Sequence, residues 1–124
     1  MKPTELQIGD WVLIDSTPRQ VVQLTKSKVG YHTEPNECRM HYARHADVEP
    51  IRITAEILEK NGFVKDFYYY NLDEEDGGYL QYYPHEWRLD RWYKDDILFR
   101  CICHDVHQLQ QAIRLCGIDK KIEI

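Results

Sequence analysis

No uninterrupted apolar run in the sequence exceeds a few residues, which excludes a transmembrane helix. Met1-Lys2-Pro3-Thr4-Glu5 leads into no signal-peptide hydrophobic segment, so a cytoplasmic chain is expected, in the cytosol of a bacterial host. Positive charge is also scarce: 16 Lys and Arg stand against 21 Asp and Glu, a net charge of −5. Residues 1–53 hold seven charges of each sign and residues 54–124 hold nine basic against fourteen acidic, so the whole excess lies in the second half. That balance removes the electrostatic footprint of duplex nucleic-acid binding. Cysteine is limited to Cys38, Cys101, Cys103 and Cys116, and without a secretory signal reduced thiols are expected, most of them small core hydrophobes. No catalytic signature and no cofactor motif stands in the sequence; neither an enzyme activity nor a cofactor is expected.

What remains is a chain of 124 residues, 43% hydrophobic, 12% aromatic and 30% charged, the composition and length of one globular domain or two very small lobes. The first fifty residues read as short strands between turns. Leu6-Gln7-Ile8 leads into a Gly9-Asp10 turn, and Trp11 to Ile14 is a short buried strand. After a turn at Ser16-Thr17-Pro18 come Gln20 to Leu24 and Val29 to His32, joined by a polar hairpin loop at Thr25 to Lys28. Cys38 to Tyr42 alternates, and Val48 to Ile53 is a last extended piece. Five or six strands at this spacing predict a small, strongly bent barrel. The segment Ile8-Gly9-Asp10-Trp11-Val12, with Val29-Gly30 after it, resembles the opening of SH3-like and KOW-type barrels.

At Thr54 the period changes. Thr54 is a good N-cap, Ile53 and Leu58 are placed as a hydrophobic staple, and Asn61-Gly62 ends a two-turn helix. Four strands follow, Val64 to Leu72, Gly78 to Tyr83, Trp87 to Tyr93 and Ile97 to Cys103, with short polar connections that favour an antiparallel meander. Asp105 caps a second helix with Gln108 in the capping-box position, Val106, Leu109, Ala112, Ile113 and Cys116 lie on one face, and Gly117 ends it. Lys121 to Ile124 is placed to add a final strand. The predicted architecture is α+β: residues 1–53 as an SH3-like barrel or bent sheet, packed on residues 54–124 as a four-stranded antiparallel meander with two short helices.

Three patches resemble a recurring group of small proteins. Val106-His107-Gln108-Leu109-Gln110 with Leu115-Cys116-Gly117 and Ile122-Glu123-Ile124, Leu6 to Val12, and Thr54 to Phe63 are similar to segments of small proteins of Bacteroides-type gut bacteria, their phages and mobile elements. The resemblance implies a phage or mobile-element origin and transfers no catalytic residue.

Among chemistry-bearing groups, Cys101-Ile102-Cys103-His104-Asp105-Val106-His107 is the densest. Cys101, Cys103, His104 and His107 are candidate zinc ligands, although tetrahedral zinc usually takes a CxxC knuckle with a distant pair. A packing explanation competes: Ile97, Phe99, Cys101 and Cys103 make one alternating face, with Asp105 as an N-cap. Asp73-Glu74-Glu75-Asp76 reads as a charged hairpin tip in preference to a cation site. The aromatic meander is the most informative feature, because nine Tyr and Trp crowd between Tyr68 and Tyr93. In the third strand the pleat sets Trp87, Leu89 and Tyr93 against Arg88, Asp90 and Trp92. Tyr70, Tyr82, Arg88, Arg91 and Trp92 are therefore expected to form a ligand or partner surface of rings and guanidinium groups. The expected function is non-catalytic binding of a host or phage protein by an accessory factor of phage or mobile-element origin. Two alternatives stand beside it, sequestration of a nucleotide or small anion on the aromatic-arginine surface, and zinc binding.

Overall fold

The computed structural model describes residues 1–124. The chain divides into two compact units, Met1–Arg52 with Asp105–His107, and Ile53–His104 with Gln108–Ile124. No helix is long and apolar enough to cross a membrane.

The first unit contains β1 (Trp11–Ile14), β2 (Thr17–Gln20), β3 (Gln23–Leu24), β4 (Lys28–Tyr31), β5 (His41–Arg44) and β6 (Val48–Glu49). They form two antiparallel three-stranded sheets, ordered β2-β1-β6 and β3-β4-β5, and no closed barrel. The β1–β2 hairpin closes in only two residues, Asp15 and Ser16, at φ 52° and 62°, with Ile14 opposite Thr17. Two left-handed residues supply the mirror-image turn that a tight hairpin needs, so Thr17 and Pro18 belong to the strand and not to the expected turn. Leu6 to Ile8 form no strand; the Asp10 carboxylate accepts the Gln7 N–H at 2.8 Å and folds that segment into a loop. Leu6, Val12, Ile14, Val21, Val29 and Val48 make the apolar core, drawn from both sheets. Late residues complete this unit: Val106 N–H donates to the Ile51 carbonyl at 2.8 Å, and Arg52 bridges Asp105.

In the second unit α1 (Ala55–Lys60) precedes β7 (Val64–Lys65), β8 (Tyr70–Asp73), β9 (Gly78–Tyr83), β10 (Arg88–Tyr93) and β11 (Asp96–Ile102). Thr54 Oγ1 accepts the Ile57 N–H, and Gly62 at φ 89° carries the chain out of the helix. The strands make one antiparallel sheet of five, β11-β10-β9-β8-β7, where four were expected. The segment from Val64 to Leu72 is two strands, because Asp66 N–H donates to the Tyr69 carbonyl at 2.8 Å and closes a turn in its middle. Tyr82, Leu80 and Leu89 lie on the buried face. At the other margin β11 is hydrogen-bonded to β10 alone, and its register slips: Phe99 faces Arg91 but Ile97 faces Trp92, which leaves Leu98 as a bulge.

Helix α2 (Val106–Leu115) ends at Gly117, φ 72°. From Gln108 onward it belongs to the second unit, and Gln108 Oε1 accepts the His104 N–H at 2.7 Å. The C-terminal residues form no strand. Asn61 takes the place of a strand partner: its side-chain amide donates to the Glu123 carbonyl at 2.8 Å and accepts the Glu123 N–H at 2.7 Å.

Candidate functional site

The pleat of the five-stranded sheet decides where each ring points. Tyr70 pairs with Tyr82, Leu72 with Leu80, and Tyr82 with Leu89, so these side chains share the buried face. Tyr70 and Tyr82 are 6% and 1% exposed, and the Tyr82 hydroxyl donates to the Cys103 carbonyl at 2.7 Å. They are core residues, and the expectation of a partner surface containing them is corrected. Arg91 shares that face. Its Nη1 donates to the Cys116 carbonyl at 2.6 Å and its Nε to Glu74 at 3.3 Å, with Asp76 at 3.5 Å, so it is anchored within the fold.

The opposite face carries Tyr79, Gln81 and Tyr83 from β9, Arg88, Asp90 and Trp92 from β10, and Arg100 from β11. Trp92 stacks on Tyr79 with ring centroids 6.2 Å apart and planes 9° apart, as their opposition in the register requires. The Arg88 guanidinium lies over the Tyr83 ring at 4.3 Å, and Tyr83 contacts Tyr69 at 5.5 Å. Rings and guanidinium groups do meet here, but Arg88 and Trp92 are half-buried and their ring partners are Tyr83 and Tyr79 of the same sheet. The cations are also neutralised. Asp90 has no exposed surface and accepts from Arg100 Nε at 2.8 Å and Nη2 at 3.0 Å, with Arg88 Nε at 3.3 Å. Glu86 takes the other end of Arg88 at 2.5 Å.

The exposed aromatic pair lies elsewhere, at the turn between β7 and β8. Phe67 and Tyr68 are 91% and 77% exposed, with Val64 at 69% beside them. Asp66 organises this turn: its carboxylate accepts the Phe67 N–H at 2.8 Å and the Tyr69 hydroxyl at 3.0 Å. That bond holds the Tyr69 phenol above its ordinary pKa. With both turn ends tied, Phe67 and Tyr68 occupy the two central positions and their rings, 6.5 Å apart, point outward. A groove of about 660 Å³ lined by Gly62, Val64, Lys65, Tyr69, Asn71 and Tyr79 runs beside the turn. Phe67 went unnoticed in the sequence because no Gly or Pro stands between Val64 and Leu72, and Asp66, the residue that makes the turn, reads as part of one continuous strand.

The cysteine–histidine segment does not assemble as a ligand set: no three His, Cys, Asp or Glu side chains are grouped to hold a metal ion. Cys101 and Cys103 are neighbours, with sulfurs 3.4 Å apart. His104 instead packs its ring on Trp87 at 5.0 Å, and His107 is buried, which lowers its pKa. In the acidic hairpin Glu74 and Asp76 turn toward Arg91. No protein-family model, curated protein or solved structure matches the chain.

Proposed function

We propose that the chain is a non-catalytic binding protein, an accessory factor of phage or mobile-element origin that recognises a host or phage protein through the aromatic turn at Phe67-Tyr68. The observation that carries this reading is the exposure of two adjacent aromatic rings at the centre of a turn whose ends are fixed by Asp66. Central turn positions favour Gly, Asn, Asp or Pro, so two large rings there serve no local folding purpose. They are rigid anchors of the kind that dominate protein interfaces, presented at little entropic cost because the turn is already ordered. The adjacent groove gives a partner side chain somewhere to lie.

Sequestration of an anion finds no free cation on that sheet face, because the Arg88 and Arg100 guanidinium groups are already paired with Asp90 and Glu86. Zinc binding has no three-donor group to rest on. For the first unit, two three-stranded sheets with a 3₁₀ turn at His45–Asp47 ahead of the last strand support an open SH3-like reading.

The test compares wild type with the double variant Phe67→Ser/Tyr68→Ser. Both side chains are exposed, so stability is expected to stay within about 0.5 kcal/mol. Proteins captured from host lysate and quantified by mass spectrometry are expected to include at least one lost by about tenfold or more in the variant. An identical captured set for the two proteins rejects the reading. Stabilisation of the protein by nucleotides in a thermal-shift screen favours the anion alternative.

A further inference from the structure

We propose that Cys101 and Cys103 are a reversible dithiol–disulfide site that reacts with small disulfides of the glutathione class. Cys101 pairs with Leu89 near the end of β11, and Cys103 follows just beyond the strand. Its N–H donates to the Trp87 carbonyl at 2.7 Å and its own carbonyl accepts the Tyr82 hydroxyl at 2.7 Å. These bonds prolong the strand geometry through Cys103, so side chains two residues apart share a face. The result is a pair of sulfurs 3.4 Å apart, one half-buried and one buried.

Residues i and i+2 of a strand lie about 6.6 Å apart at Cα, just inside the upper limit of about 6.8 Å that a disulfide spans. The bridge is therefore closable with small movement, yet strained, and strained bridges are the readily reduced ones. The two thiols also divide the work. Cys101 has the outward access, and its thiol is held below its ordinary pKa by the hydrogen bond from Cys103. The Cys103 thiol is pushed up by that same bond and then by burial. Loss of the Cys101 thiolate removes the first and larger of these two restraints.

The steps balance. The Cys101 thiolate attacks one sulfur of oxidised glutathione, the S–S bond breaks, and one glutathione leaves as a thiolate that takes a proton. Cys103 then gives its proton to water, attacks Cys101 Sγ within the mixed disulfide and expels the second glutathione. Two protein thiols are oxidised by two electrons, and one small disulfide is reduced to two thiols. Excess reduced glutathione runs the sequence backward.

The test uses the full chain. Wild type is incubated with oxidised glutathione under native conditions, quenched in acid, alkylated in denaturant and mapped by mass spectrometry. Two of the four cysteines are expected to become unalkylatable together, in one peptide lighter by two hydrogens that carries Cys101 and Cys103, and to recover with reduced glutathione. Cys103→Ser is expected to stop at a glutathione adduct on Cys101. The proposal is overturned if wild-type Cys101 stays alkylatable, halts at the mixed disulfide, or is found bridged to Cys116. Cys38, exposed in the first unit, reports in its own peptide and serves as the control for a thiol without a neighbour.

Discussion

Asp90 shows how much a single position holds together. It is fully buried on the outward face of β10 and receives both prongs of the Arg100 guanidinium with Arg88 beside it. A buried carboxylate is tolerated when such partners replace water, and removing its charge leaves two guanidinium groups facing a neutral amide. Asp90→Asn is expected to cost about 2 kcal/mol in urea unfolding, the half-exposed Arg100 head limiting the loss by rehydrating. His107 makes a second prediction at this scale. Burial lowers its pKa from the ordinary 6.5, against the smaller opposing pull of Asp105, Asp10 and Glu5. Above 6.5 both folded and unfolded forms are neutral; as pH falls below it, the unfolded chain takes up the proton first, so stability is lost toward acid. His107→Gln is expected to lose less stability than wild type between pH 7.5 and pH 5.5, as read from urea midpoints, and an equal loss in the two proteins rejects the assignment.

Individual elements repeat the same logic with the backbone. Asn61 caps α1 by donating to the Ile57 carbonyl at 2.8 Å while both polar atoms of its amide engage Glu123. One side chain thus satisfies three backbone groups. Asn61→Ala is expected to cost about 2–3 kcal/mol and to make residues 121–124 accessible to carboxypeptidase, followed by mass spectrometry of intact protein. Helix α1 was legible in the sequence because its signals are local: Thr54 as cap, Gly62 as left-handed exit, Ile53 and Leu58 both buried. The pleat of β10 was legible too, with Arg88, Asp90 and Trp92 on one face. The break between β7 and β8 was not, since Asp66 makes that turn through side-chain bonds that leave no Gly or Pro behind. Reading one strand through the break hid Phe67, and Tyr70, expected on the surface, lies in the core. Tyr82 was expected on the surface, but its facing depends on pairing with Tyr70 and Leu89, a nonlocal fact. The Asn61 clamp is equally invisible, because Glu123 lies 62 residues away in the chain.

For the whole molecule, the first unit draws on two distant stretches of chain. Its β-rich residues end at Arg52, but Asp105–His107 pair with Ile51 and Arg52. A fragment of residues 1–52 is therefore expected to be less ordered than the same residues in the full chain, which amide dispersion by NMR measures directly. Interaction through the proposed aromatic turn would rest on rings and not on bulk charge, and is expected to be insensitive to moderate salt. The Leu98 bulge has a consequence for concentrated protein. β11 leaves one row of its backbone groups without a strand partner, and Ile97, Leu98 and Ile102 are exposed along it. A straight margin of that composition templates stacking of one copy upon another. The slipped register bends it, so deleting Leu98, which removes the bulge while leaving the Arg100–Asp90 pair in place, is expected to raise the tendency of concentrated protein to seed thioflavin-positive fibrils.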